Sequence, residues 1–131
     1  MVHSRSELRE KAMIILYQID ICREQKMDYD IENIIKSNLD IDNEFVKDLV
    51  FGVTTYKNDL DKLANKYMNN WTIERLDKTG AAILEIALYE LKYTDTPEVV
   101  IINEAIELSK KYSDDSVRKI INAVLDKVIK E

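Results

Sequence analysis

The side chains of this chain that could do chemistry are cations and aromatic rings rather than nucleophiles. His3, Arg5, Arg9 and Lys11 crowd the start of the first helical pattern, with Arg5 and Arg9 one turn apart on one side. Either this is a solvated face, diluted by Glu7 and Glu10, or the arginines reach phosphates. A second group, Lys66, Tyr67, Asn69, Asn70 and Trp71, interleaves rings with amides and a lysine, a combination suited to stacking on unpaired bases. Trp71 is nevertheless expected to pack between helices, and Tyr67 lies on an apolar stripe that leaves only its hydroxyl end for a ligand. Arg118 and Lys119 fall in the first turn of the last helical pattern, where the helix dipole disfavours cations. They are either ligand contacts or solvated charges, with Asp114 or Asp115 available to pair with Arg118.

The remaining titratable groups exclude more than they suggest. Cys22 is the only cysteine and His3 the only histidine, so an internal disulfide is impossible and a zinc site of the usual kind is excluded. Helical spacing puts Cys22 beside Ile15 and Ile19, where a buried, inert thiol is expected. Glu90 is aimed at the core, and a buried carboxylate must be paired or hydrogen-bonded. A helix N-terminus or a basic side chain is expected to satisfy it; a catalytic role would need a second titratable group, and none is evident. The net charge of −6 argues against a general nucleic-acid coating protein, although it leaves room for a local basic patch.

These groups have to be positioned by helices. Two glycines, one proline and long 3.6-residue periodicities in 131 residues predict an all-α protein, one compact domain or two small bundles sharing a core. There is no apolar run long enough for a membrane span and no signal segment, so a soluble cytoplasmic protein is expected. Ser4 and Glu7 have capping-box spacing and open a helix to about Gln25, with Leu8, Ala12, Ile15, Leu16 and Ile19 inward. Ile14, Tyr17 and Ile21 form a second apolar strip on that helix, to be covered by another layer of the chain or by a partner. A short helix is expected between Met27 and Asp42. Asp42 should cap a long helix running to Tyr67, in which Gly52 and the β-branched Val53 to Thr55 predict a kink or a break near Tyr56, or Gly52 permits close packing. Thr72 should cap the central helix, where Leu76, Ile83, Leu84, Ile86, Ala87, Leu88 and Leu91 fill an unusually wide arc and Gly80 makes room for a neighbour. Thr96 and Pro97 start the next helix, with Val99, Ile102, Ala105, Ile106 and Ser109 toward the core. The last helix buries Val117, Ile120, Ile121, Val124, Leu125 and Val128, with Asn122 bonding to another helix end.

LYQID near the N-terminus, ILEIALYEL, the hinge at Pro97 followed by INEAIELSKKY, and KIINAVLDK closely resemble the NusB family of bacterial transcription antitermination factors. The resemblance runs in order along nearly the whole chain and is loosest from about Asp28 to Asn43. It implies an all-α fold of two packed bundles of three to four helices, about seven in total, spanning about 1–70 and about 71–131. It also implies a binding role: with the ribosomal protein NusE, the chain would hold the boxA element of nascent RNA within the RNA polymerase antitermination complex, without a cofactor. The family's RNA-contacting positions correspond to His3, Arg5, Arg9, Lys11, Tyr67 and Lys119, next to which stand Lys66 and Arg118, with Asp115 beside that surface. Positions facing NusE correspond to Tyr17 and Glu74. Ile120 stands where many members have phenylalanine, Ala123 where they have glycine, and Gly80 where an acidic residue is common. The same fold also occurs as the RNA-binding end of RNA cytosine methyltransferases, but no glycine-rich cofactor loop or second cysteine motif is present here. A purely protein-binding helical module is the alternative, and covering the Tyr17 strip by self-association would make a homodimer.

Overall fold

A computed structural model describes residues 3–40 and 42–131. Its elements are α1 (Arg5–Glu24), α2 (Ile31–Asn38), α3 (Glu44–Lys66), a single 3-10 turn (Ile73–Arg75), α4 (Lys78–Tyr93), α5 (Glu98–Tyr112) and α6 (Asp115–Ile129). Every described element is helical, and six helices and a 3-10 turn come close to the seven expected. None of these helices is long and apolar enough to cross a membrane.

Local chemistry accounts for most of the boundaries. Ser4 and Glu7 form the expected capping box on α1, and Asp30 and Asp114 cap α2 and α6 through side-chain oxygens. Other starts are shifted. Asn43, not Asp42, caps α3, its side chain accepting from the Val46 amide at 3.0 Å. Thr72 precedes only the 3-10 turn, and α4 begins after Asp77, because Leu76 turns extended and buries itself between the two. The hinge also moves by one residue: Pro97 takes the N-cap position of α5, while Thr94 caps the end of α4 by donating to the Glu90 carbonyl at 2.8 Å. The predicted kink is real, with Tyr56 at φ −102°, ψ 15° inside α3.

α4 is the hub, packing against α1, α3, α5 and α6. Its stretch from Ala82 to Glu90 is buried without interruption, and Leu84 and Leu88 are among the largest fully enclosed side chains. Truncating either to alanine should cost about 2–5 kcal/mol. Two glycines let helices approach this hub. A Cβ on Gly52 would overlap the Tyr89 ring, so α3 and α4 meet at a contact that only hydrogen permits. A Cβ on Gly80 would lie 2.6 Å from Val117 Cγ1 and 2.5 Å from Asp77 Oδ1, so the start of α6 fills the space that an acidic side chain would need. Several core expectations need correction. Val99 is 63% exposed, because α5 turns the face of Ile101, Ala105 and Leu108 inward instead. Asn122 is exposed, and Cys22 is only half-buried.

The charge inside the core is solved by one pair. Arg9 Nε donates to Glu90 Oε1 at 2.7 Å and Nη2 to Oε2 at 2.8 Å, with Arg9 4% and Glu90 1% exposed. That hydrogen bonding holds the Arg9 guanidinium above its ordinary pKa against the pull of burial. The pair ties α1 to α4, and the Arg9 guanidinium also lies 5.1 Å from the centre of the Phe45 ring on α3. Arg9→Ala should therefore destabilise the fold by about 3–5 kcal/mol in urea unfolding, because it strands a buried carboxylate, whereas Arg9→Met combined with Glu90→Leu should recover most of that loss. A loss below about 1 kcal/mol for Arg9→Ala would show that the pair does not hold the bundle together.

Candidate nucleic-acid interface

The end of α3, the corner after it and α6 enclose an open hollow of about 300 Å³, walled by Tyr67, Met68, Trp71, Lys119, Ile120 and Lys127. α3 ends at Lys66 because Tyr67 leaves helical geometry, and Asn70 follows with a left-handed φ of 57° that turns the chain toward the 3-10 turn. Asn65 fastens the corner: its Oδ1 accepts from the Ile73 amide at 2.7 Å. Trp71 is not packed between helices as expected. It is 38% exposed, and the Arg75 guanidinium stacks 4.2 Å from its ring centre. On α6, Lys119, Ala123 and Lys127 recur every fourth residue and so share a face of the helix.

The phenol of the hollow and the lysine just before it are already engaged. Glu131 accepts a very short hydrogen bond from the Tyr67 hydroxyl, lies 3.2 Å from Lys66 Nζ and 3.0 Å from Lys92 Nζ, and is held down to a pKa of about 2 by these three groups, Tyr67 first. Lys66 is raised in turn, chiefly by Glu131. The result is a carboxylate clamp on Tyr67, which lines the hollow, and on its neighbour Lys66.

Not all of the basic residues singled out in the sequence meet here. His3 is tied to Glu7 at 3.2 Å, and Arg5 stacks 4.0 Å from the Phe45 ring at the opposite end of α3 from Tyr67. The length of that helix, about 30 Å, separates the two groups. Lys11 is half-buried on α1. Arg9 is a correction: enclosed and paired with Glu90, it has no guanidinium face left for a phosphate. Arg118 is half-buried and pairs with Asp115 at 3.1 Å, whereas Lys119 is exposed.

The residues expected to face a protein partner lie on another side. Tyr17 is 37% exposed and flanked by half-buried Ile14 and Ile21, so the second strip of α1 is only partly covered from within. α2 packs on α1, where Asn38 Nδ2 donates to Gln18 Oε1 at 3.0 Å, and leaves Tyr17 open. Glu74, exposed on the 3-10 turn, borders a charged hollow of about 370 Å³ together with Asp20 and Glu24 of α1. Deeper in this hollow Lys57 bridges Glu85 at 2.6 Å and Asp61 at 3.2 Å. Burial, and then Asp61, push the Glu85 carboxyl well up, with Lys57 opposing.

Lys127, which lines the same hollow, went unread in the sequence, although its spacing from Lys119 would have found it. Trp71 was read as part of the aromatic corner but placed between helices, because its type argues for burial.

A hub helix packed by four others, with aromatic and cationic surface at one corner and an apolar strip at another, defines a helical binding protein. Among the described residues no three or more histidine, cysteine or acidic side chains are grouped to hold a metal. The sequence model of the NusB family matches residues 6–130. The transcription antitermination protein NusB of Macrococcus caseolyticus is 40% identical over 129 residues, covering 97% of each chain. Among solved structures, Thermotoga maritima NusB superposes with a TM-score of 0.85 at 29% identity, over 100% of this chain and 94% of that one. A structure of antitermination factors NusB and NusE with double-stranded RNA superposes at 0.81 and 24% identity, over 99% and 98%, a likeness of fold. The chain belongs to the NusB family. Membership places it among transcription antitermination factors, whose work is binding and not catalysis.

The clamp gives a direct test of the corner's geometry. A proton titration of Glu131 followed by carboxyl NMR should have its midpoint near 2 and move upward in Tyr67→Phe. A midpoint in the usual carboxylate range in the unaltered protein would mean that Tyr67 and Lys66 are not held.

Proposed function

We propose that this chain binds boxA-type nascent RNA together with the ribosomal protein NusE and acts in the RNA polymerase antitermination complex, in the cytoplasm, during ribosomal RNA synthesis. The observation that carries the RNA part is the hollow between Tyr67, Trp71 and the lysines of α6, an aromatic and cationic surface on a chain whose net charge is −6. It suits an unpaired base. Rings offer a π-face to any base, and Lys119 and Lys127 can meet the flanking phosphates. Ile120, where many family members have phenylalanine, gives this wall no ring, and Trp71 across the hollow supplies one.

Arg5 on Phe45 contributes a second phosphate contact, so an RNA that touches both sites follows α3 for most of its length. His3, Lys11, Lys66 and Arg118 add charge around these two points. Few cations stand against the general repulsion, which makes binding by the chain alone weak. A basic partner seated on Tyr17, Ile14, Ile21 and Glu74 extends the positive surface and makes binding cooperative. The same strip on a second copy would form a homodimer that competes with NusE. The partner strip belongs to the N-terminal bundle, about 1–70, and α6 to the C-terminal one, about 71–131, with Glu74 at their junction.

Titration of labelled boxA-like RNA, with and without NusE, tests the reading. Binding should tighten with NusE. Arg5→Ala and Lys119→Ala should each weaken it and reduce the salt slope by about one. Arg9→Ala should act only through lost stability, and Glu131→Gln, which opens the clamp, should tighten binding about two- to fivefold. RNA-independent binding of NusE, with no RNA signal in either condition, would leave a protein-binding module instead.

A further inference from the structure

One aromatic surface is left without a role by RNA or by the Tyr17 strip. Tyr56 and Tyr93 stack with ring centres 4.2 Å apart and planes 13° from parallel, and Tyr89 continues the ladder 5.4 Å from Tyr93. The ladder exists because of the break in α3. Tyr56 is the non-helical residue, which frees its ring to lie along α4, and Gly52, without a side chain, lets the Tyr89 ring reach across α3. Tyr89 Oη then donates to Asp48 Oδ1 at 2.9 Å, and burial together with Asp48 pushes its pKa up to about 12. The Tyr56 and Tyr93 rings remain 38% and 44% exposed.

The charges around the ladder that no ion pair engages are acidic. Asp48 is exposed beside Tyr89, Asp59 is exposed one turn after Tyr56, and Asp95 is exposed just beyond Tyr93. The neighbouring cations are spent: Lys57 on Glu85 and Asp61, Lys92 on Glu131, Lys47 on Asp42 at 3.5 Å. Phosphates would be repelled here, which sets the surface apart from the corner at Tyr67 and Trp71. A planar cation suits it better. A guanidinium can stack on a tyrosine face while its N–H fork meets a carboxylate, a geometry that an ammonium cannot copy.

The geometry points to the Tyr56–Tyr93–Tyr89 ladder, with Asp48 at its end, as a docking surface for an arginine-bearing segment of a partner protein. Asp48 has a carboxylate oxygen beyond the one that Tyr89 occupies, and it is the natural acceptor for the guanidinium. Arginine should be preferred over lysine, and the surface should work independently of RNA.

The probe is a capped peptide of alternating arginine and glycine, titrated into the full chain while tyrosine ring and backbone resonances are followed by NMR, with the lysine–glycine peptide in parallel. Shifts should concentrate at Tyr56, Tyr89, Tyr93 and Asp48, with the arginine peptide binding about threefold or more tighter. Tyr56→Ala with Tyr93→Ala should weaken it about five- to tenfold, and Asp48→Asn about threefold. Asp48→Asn leaves the rings in place and decides the matter if the double variant folds poorly. RNA binding should be unchanged in all of them, so failure here is distinguishable from failure of the RNA reading. Shifts spread evenly over the acidic surface, equal affinity for the two peptides, or RNA displacing the peptide from these tyrosines would overturn the assignment.

Discussion

The structure depends on the buried bidentate pair between Arg9 and Glu90. Desolvating two charges is expensive and is offset only when geometry is good and the remaining lone pairs are met. Here both carboxylate oxygens accept from one guanidinium, and the same guanidinium approaches the Phe45 ring. Three helices remote in sequence are thereby set in one register near the start of α1, the start of α3 and the end of α4. Apolar packing alone would tolerate a slip of one turn between such smooth helices; a pair of charges would not.

This pair also explains why the molecule is so sparing with positive surface. One of the arginines that composition assigns to the outside is used inside. Many of the lysines are matched locally: Lys78 with Asp20 and Glu24, Lys111 with Glu10, Lys57 with Glu85 and Asp61. Some of what is left over is placed beside other surface groups. Arg5, Lys119 and Lys127 stand on exposed positions next to aromatic or apolar surface, where each charge sees less water and counts for more. With a net charge of −6, the long-range field of the protein repels polyanions, and only local cationic surface opposes it.

The helices, their order and the hub were readable from apolar spacing, because each buries one broad face and periodicity reports burial directly. Glu90 was readable as a residue in need of a partner. The partner was not, since Arg9 sits among residues that look solvent-facing and only the crossing of α1 over α4 brings them together. Helix starts were misplaced by a residue or more at Asn43, Asp77 and Pro97, where several good capping residues follow one another and tertiary packing chooses among them. Trp71 and Val99 were placed inside by type. Both lie at the turning points of the chain, where the backbone's route decides exposure and hydrophobicity does not. The tyrosine ladder combines residues from two helices and a break in one of them, information that no window along the chain contains.

The bend at Tyr56 divides α3 into two arms with separate anchors. The leading arm is fixed through Phe45 to the arginines of α1, and the trailing arm carries Lys66 and Tyr67 into the corner. The trailing arm is about 15 Å long, so a change of about ten degrees at the bend would swing its tip by about 3 Å relative to Arg5. The angle at the bend therefore sets the span between Arg5 at one end of α3 and Tyr67 at the other.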